Sequence, residues 1–397
     1  MRSRALVPVR FVPLMVLAAA CGGHDGGGTG PSNKPIVAAG SNASLPVGTT
    51  YTLSATFTDT TNSAPWSYDV AWGDGQSMSG TKNSVSTITG THTYASEGHY
   101  TVTVTVTNQQ GESGDASVTV SATAPVLLAA GDIGDCTRLG DDSTAMLLDT
   151  LEGVVLPLGD NAYENGTLDE YNNCYAPTWG RQKARTRPVA GNHDYNTAGA
   201  PGYFGYFGTA AGDPSKGYYD FTLGSWFIIV LNTGTDVPDN YKAGSPQEQW
   251  LRAELASHSE QCVLAVFHHP RFSSILARDS ITYYTAAIWD ALYEYGADLV
   301  LNGHDHAYQR FAPQKPDGTP DNAFGIRQIV AGTGGGETLY SLAEPAPAGS
   351  NIQVRNNTTH GVLKVTLRTG EYDWKFVPSS GATFTDSGSG NCHGRPS

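Results

Sequence analysis

The feature that most constrains this chain is a series of apolar runs, most of which stop abruptly at Asp, Asn or His. They read VLLAAGD (126–132), VVLPLGD (154–160), SWFIIVLNT (225–233), CVLAVFHHP (262–270) and ADLVLNGHDH (297–306). Short, nearly continuous runs of Val, Leu and Ile are what strands buried on both faces require. Helical patterns lie between them. Ser245-Pro246-Gln247-Glu248 offers an N-cap serine, proline at the first helical position and a capping-box glutamate. Ile288, Leu292 and Tyr295 mark the apolar face of another helix, which Gly296 stops. Alternating strands and helices predict an α/β domain over residues 125–397, with GVLKVTLRTGEYDWKFVP (361–378) as a hairpin closing an antiparallel edge.

The strand ends carry the chemistry. Asp132 follows the first strand, and Asp160 with Tyr163 the second. Asn192, His193 and Asp194 follow a third, while His268 and His269, then His304 and His306, end two more. Ligands of open α/β sheets bind beyond the carboxyl ends of the strands, so these groups are placed to converge on one site. Five of the eleven histidines fall in these three histidine-bearing motifs. Asp, Asn, Tyr and His are oxygen and nitrogen donors suited to cations of intermediate or high charge density.

Residues 36–122 have a different texture. TYTLSATFTDT, HYTVTVTVTN and ASVTVSA alternate with period two and show no helical period, which predicts a small all-β sandwich. WGDG (72–75), HTY (92–94) and GHYTVTVTV resemble the PKD domain, an immunoglobulin-like module. That resemblance implies a spacer or a cell-surface contact, with Trp72, His92 and His99 as packing and turn residues.

Arg2, Arg4 and Arg10 precede a short apolar run, Phe11 to Ala20, and then Cys21. The run is too short to span a bilayer and reads as an export signal over residues 1–20. Cys21 directly after Leu17-Ala18-Ala19-Ala20 resembles a bacterial lipoprotein signal, which implies an acylated Cys21 and membrane anchoring at the cell surface or in the periplasm. Ordinary signal cleavage and secretion is the competing reading. Glycine-rich residues 21–35 read as a flexible linker. The remaining cysteines, Cys136, Cys174, Cys262 and Cys392, are even in number in an exported chain and predict two disulfides. Three pairings satisfy them; Cys136–Cys174, within one region, and Cys262–Cys392, fastening the tail to the body, are favoured. A net charge of −14 repels polyanions and argues against a nucleic-acid partner.

Taken in order, GD (131–132), GDNAY (159–163), GNHD (191–194), HHP (268–270) and GHDH (303–306) resemble the metallophosphoesterase superfamily. The resemblance spans residues 125–397 and implies a two-sheet β sandwich flanked by helices. Many members have aspartate-x-histidine in the first motif, where this chain has Asp132-Ile133-Gly134. Tyr163, three residues after Asp160, is similar to the purple acid phosphatase substitution. The resemblance therefore implies one metal on Asp132, Tyr163 and His306, a second on Asn192, His268 and His304, and Asp160 bridging them. A phenolate favours Fe(III), with Zn, Mn or Fe(II) as the second ion. The implied reaction is hydrolysis of a small phosphomonoester by in-line attack of a metal-bound hydroxide. His193 is then the catalytic acid or phosphoryl contact, and His269 and Arg271 the substrate-binding candidates. Asp194 and Asp305 are expected to orient neighbouring groups.

Each residue has a plainer alternative. Asp132 and Asp160 would serve equally as helix caps, Tyr163 as packing and Arg271 as half of a surface ion pair. Two further functional readings compete: a phosphodiesterase or nucleotidase on the same site, its specificity set by loops 195–218 and 271–284, and a non-catalytic adhesion or binding protein. Gly332 to Gly336 lacks the Lys-Ser/Thr ending of a phosphate-binding loop and is expected to form a turn on the site rim. Asp141-Asp142 suits a helix N-terminus better than a glycosidase dyad.

Overall fold

The structure, a computed structural model, describes residues 33–234, 241–258, 262–275, 285–347 and 350–396. The predicted signal segment, Cys21, most of the linker and part of loop 271–284 lie outside the described residues.

The N-terminal part is a β-sandwich. β1 (Ile36–Ala38), β3 (Thr50–Thr58) and β6 (Ile88–Thr93) form one sheet. β2 (Ala43–Pro46), β8 (Ser113–Thr123), β7 (Gly98–Thr107), β4 (Trp66–Ala71) and β5 (Ser77–Lys82) form the other, in that order. The period-two pattern explains the packing. Leu53, Ala55 and Phe57 of β3 face Val102, Val104, Val106, Val118 and Val120 across the core, while the intervening Thr and Ser residues of β3 face water. Trp72 and His92 do pack, with rings stacked 5.0 Å apart, and His99 bonds to Ser121 (2.8 Å).

Two residues after β8, the second part begins with β9 (Val126–Ala130). α1 (Gly140–Leu148), β10 (Val154–Pro157), a single turn α2 (Leu168–Glu170) and α3 (Pro201–Phe207) follow. β11 (Tyr219–Leu223), β12 (Trp226–Val230), α4 (Pro246–Ser257), β13 (Cys262–Val266), α5 (Ala286–Glu294) and β14 (Leu299–Asn302) come next. The chain continues through β15 (Tyr308–Phe311), β16 (Arg327–Ala331), β17 (Ile352–Asn356), β18 (Gly361–Arg368), β19 (Glu371–Pro378) and β20 (Ser387–Asn391). Seven of these strands form one sheet in the order β11-β12-β13-β14-β16-β15-β17, and five form another, β10-β9-β18-β19-β20.

The apolar runs are continuous because each strand has two faces to bury. Leu127 and Ala129 of β9 enter the layer between the sheets, together with Trp226, Ile228, Leu264, Val266 and Leu301 from the larger sheet. Leu128 and Ala130 face outward under α1 and α3, and Val263 and Ala265 face outward under α4 and α5. Each fully buried Leu, Ile or Val contributes roughly 1.5–3 kcal/mol from removal from water. The result is a two-sheet sandwich with helices on both outer faces.

Three local expectations need correction. The hairpin of residues 361–378 is not at an edge: β18 pairs with β9, and β20 covers β19 as the outer strand. Ser245 caps α4 by accepting from Glu248 N (3.1 Å), but Glu248 reaches Gly244 N rather than Ser245 N. No strand precedes Asn192, since Val189 makes only an isolated parallel bridge to Leu158. Disulfides join Cys136 to Cys174 and Cys262 to Cys392. Among the described residues no helix is long and apolar enough to cross a membrane.

Candidate metal centre

β9 and β10 run parallel in one sheet and β13 and β14 in the other, and their carboxyl ends meet, with His268 Nδ1 2.8 Å from Leu158 O. Asp132, Asp160 and His304 each take a left-handed backbone conformation, with φ of 64°, 50° and 69°. Such φ values cost about 1–2 kcal/mol for residues other than glycine, and the chain turns sharply there instead of continuing into a helix. Helix capping is excluded for Asp132, because Leu139 occupies the N-cap of α1.

All seven residues of the implied ligand set are brought together. Tyr163 Oη donates to Asp132 Oδ1 (3.0 Å) and lies 3.3 Å from His306 Nε2, which is itself 3.2 Å from Asp132 Oδ1. These three form one donor set. His304 Nδ1 lies 3.1 Å from Asn192 Oδ1, and donor atoms of Asp160, His268 and His304 all fall within 4.8 Å of one another. Asp160 joins the sets: its Oδ2 is 3.3 Å from Tyr163 Oη and 3.2 Å from His268 Nε2. Every one of these side chains except Asn192 is buried.

The donors fit cations. His268 Nδ1 bonds to the Leu158 carbonyl (2.8 Å), and since a carbonyl only accepts, that nitrogen carries the hydrogen. Its other nitrogen, Nε2, is buried 3.2 Å from Asp160 Oδ2 and is the atom left to bind a cation. His306 repeats the arrangement, with Nδ1 3.3 Å from the Thr338 carbonyl and Nε2 toward Asp132. Metal-bound histidines commonly fix their tautomer in this way. Burial alone would lower the pKa of His268, but the charge of Asp160 outweighs it and pushes the group up to about 9. Burial, then the charges of Asp132 and Asp160, holds the Tyr163 phenol well above its ordinary range. A phenolate there requires a cation beside it.

The remaining sequence-derived residues divide. His193 stacks edge-on to Tyr163 at 4.7 Å, its backbone N–H donates to Asp160 Oδ1 (2.8 Å), and its Nδ1 bonds to the Glu164 carbonyl (2.8 Å). His269 packs 4.1 Å from His304, held by Thr233 Oγ1 through its backbone N–H (3.1 Å). Arg271 Nη2 donates to Pro316 O (3.2 Å), and its guanidinium lies 5.2 Å from the Phe272 ring. Asp194 is a buried tie between loops, and Asp305 accepts from Ser273 and from Gln309 (2.7 Å). The glycine run of 332–336 packs onto the Asp132 loop, where Gly334 N bonds Gly131 O (2.8 Å) and Gly336 N bonds Asp132 O (2.9 Å).

Sequence reasoning missed Thr233, Tyr171 and Tyr340. Tyr340 stacks flat on His306, with ring centroids 4.0 Å apart. Thr233 ends the run SWFIIVLNT (225–233), a polar strand end that could have been read as a contact, whereas Tyr171 and Tyr340 lie outside the strand-end motifs.

This architecture, a two-sheet α/β sandwich with Asp, Asn, Tyr and His donors at its strand ends, is that of a metallophosphoesterase domain. Residues 125–308 match the family model described as calcineurin-like phosphoesterase, and residues 32–123 match that of the PKD domain. The chain is a PKD-like β-sandwich domain followed by a metallophosphoesterase domain. It is 26% identical over 215 residues to Purple acid phosphatase 15 of Arabidopsis thaliana, covering 45% of this chain and 40% of that protein. It is 27% identical over 282 residues to Purple acid phosphatase 1 of Ipomoea batatas, covering 62% and 58%. The chain thus spans 40% and 58% of the length of these two curated relatives. A solved PKD domain of an M14-like peptidase from Thermoplasmatales archaeon SCGC AB-540-F20 is 26% identical, covering 23% of this chain and 93% of that one at a TM-score of 0.20.

Proposed function

We propose that this chain is an exported, metal-dependent phosphatase that hydrolyses small phosphomonoesters at a dinuclear centre. The observation that carries the reading is the position of Asp160, whose one carboxylate oxygen lies within 3.3 Å of both donor sets. Asp132, Tyr163 and His306 would hold one cation, and Asn192, His268 and His304 the other, with Asp160 between them. The first set has two anionic oxygens and suits Fe(III); the second has neutral nitrogen and amide donors and suits Zn, Mn or Fe(II). Bound there, the two ions supply Lewis acidity toward phosphoryl oxygens and toward water.

The protein's own groups do the rest. The Glu164 carbonyl accepts from His193 Nδ1, which leaves Nε2 as the atom that, in the imidazolium form, delivers its proton to a leaving alkoxide or donates to a phosphoryl oxygen. Thr233 fixes the His269 backbone beside His304, a second place for a substrate contact. All of the proposed donors except Asn192 are buried, so their fields act with little screening from water. A lipidated Cys21 would keep the enzyme at a membrane surface and the PKD-like domain would hold it off that surface.

The test is turnover of p-nitrophenyl phosphate against bis(p-nitrophenyl) phosphate by metal-loaded protein. The monoester should be hydrolysed faster, and Asp160→Asn should abolish most of the rate with the fold intact. A fully metallated protein that hydrolyses neither ester overturns the reading.

A further inference from the structure

The three loops that carry most of the donors are fastened in series. The Asp132 and Asp160 loops are zipped by backbone bonds: Asp132 N to Gly159 O (3.0 Å), Ile133 N to Asp160 O (2.9 Å), Gly134 N to Asn161 O (2.9 Å) and Tyr163 N to Gly134 O (2.7 Å). The Asp160 and Asn192 loops are tied through Asp194. Its carboxylate accepts from Gly191 N (2.8 Å), Asn161 N (3.1 Å) and Asn161 Nδ2 (2.9 Å).

One short helical segment, Tyr171–Tyr175, closes the ring from the first loop to the third. At one end Cys174 is bonded to Cys136, which ends the Asp132 loop. At the other, Tyr171 Oη donates to Asp194 Oδ1 at 2.6 Å. The segment is itself rigidly seated. Tyr171 and Tyr175 are fully buried, and Tyr171 stacks on Tyr206 with ring centroids 5.1 Å apart. None of its residues belongs to the donor set.

We propose that the Cys136–Cys174 disulfide and Tyr171 act together as a brace that sets the spacing of the two donor sets. They are positioning residues, and cation affinity at the centre depends on them. The inference rests on the reading of the cluster as a metal centre given above. The second disulfide supplies an internal control. Cys262 begins β13, at the opposite end of that strand from His268, and its bond to Cys392 closes a separation of 130 residues against 38 for Cys136–Cys174. On chain entropy its loss costs at least as much stability, yet it touches none of the three loops.

The experiment is calorimetric titration of Zn2+ into the metal-free full-length chain. Tyr171→Phe keeps the ring and removes only the hydroxyl. It and the double variant Cys136→Ser/Cys174→Ser should bind Zn2+ about 10–100-fold more weakly, the loss typical of removing a group that orients metal ligands. Cys262→Ser/Cys392→Ser should lower Tm at least as far as the other pair and bind Zn2+ as the wild type does. Wild-type affinity in Tyr171→Phe overturns the brace, and so does an equal loss in the Cys262/Cys392 pair. Tyr171→Phe decides the matter alone if the Cys136/Cys174 pair does not fold. A wild-type protein that binds no Zn2+ overturns the metal reading and the brace with it.

Discussion

Substitution of Gly191 by alanine concentrates its effect on one carboxylate. A Cβ at that position falls on Asp160 Oδ1 and on the Asp160 amide nitrogen, and stands only 2.9 Å from Asp160 Cγ. Ordinary contact of a methyl carbon begins near 3.4 Å, so one of the two loops must move by about 1 Å. Moving the Gly191 loop stretches the bonds that Asp194 accepts from Asn161 N (3.1 Å) and Asn161 Nδ2 (2.9 Å); moving Asp160 breaks the bond it accepts from His193 N (2.8 Å). The overpacking costs about 1–3 kcal/mol of stability. A displacement of that size at a reacting centre costs about 100-fold in rate. Gly205→Ala is the matched control. Its Cβ meets only Leu168 Cδ1 at 4.0 Å on the exposed side of α3, so it should gain up to about 1 kcal/mol from helix propensity and leave the rate unchanged. The assay is kcat for p-nitrophenyl phosphate together with urea denaturation. Activity of Gly191→Ala within threefold of wild type would refute the placement of Asp160 against Gly191.

Tyr163→Phe should abolish the visible absorption of an iron-loaded protein while leaving its circular dichroism unchanged; an identical band in the variant removes the tyrosinate. His304→Ala should reduce the stoichiometry of bound metal, measured by elemental analysis, because its ring is within reach of both Asn192 and Asp160. Asp298 gives a stability prediction far from the centre. Burial raises its carboxyl from 3.8 to about 6, although Val263 N (2.9 Å) and His393 N (2.8 Å) donate to it. The folded state therefore keeps a proton that the unfolded chain releases, and its contribution to stability falls as pH rises from about 4 to about 6, by about 3 kcal/mol, and is flat above. Asp298→Asn should lack this slope, so the difference between the wild-type and variant urea stability curves should fall by that amount over the same pH range, and parallel curves would refute the burial argument.

The strands and the donor list were legible because both are local patterns. Val263 and Leu264 must point to opposite faces, and both faces were apolar, which already requires layers on each side. Asp160 and Tyr163 lie three residues apart, so their proximity is nearly a local fact. The position of Asn192 was legible only from its motif, since the loop ahead of it has no strand to announce it. The supporting residues were hidden for a different reason. Tyr171, Thr233 and Tyr340 meet the centre through crossings that no short window records: Tyr340 reaches His306 only because β15 lies between β16 and β17. Arg271 adds a further case: its Nη2 donates to Pro316 O (3.2 Å), a partner 45 residues away that no short window records.

The burial of both sheet faces has a further consequence for how such a domain can change over time. Its load-carrying interior contains none of the proposed cation donors, and the donors contribute little to that interior. Lengths and sequences in the exposed turns between strands can therefore be exchanged with little loss of cohesion, whereas α3, whose Tyr203, Phe204, Tyr206 and Phe207 are buried, cannot. Preference for one phosphate ester over another can drift while the hydrolytic apparatus and the scaffold beneath it stay as they are.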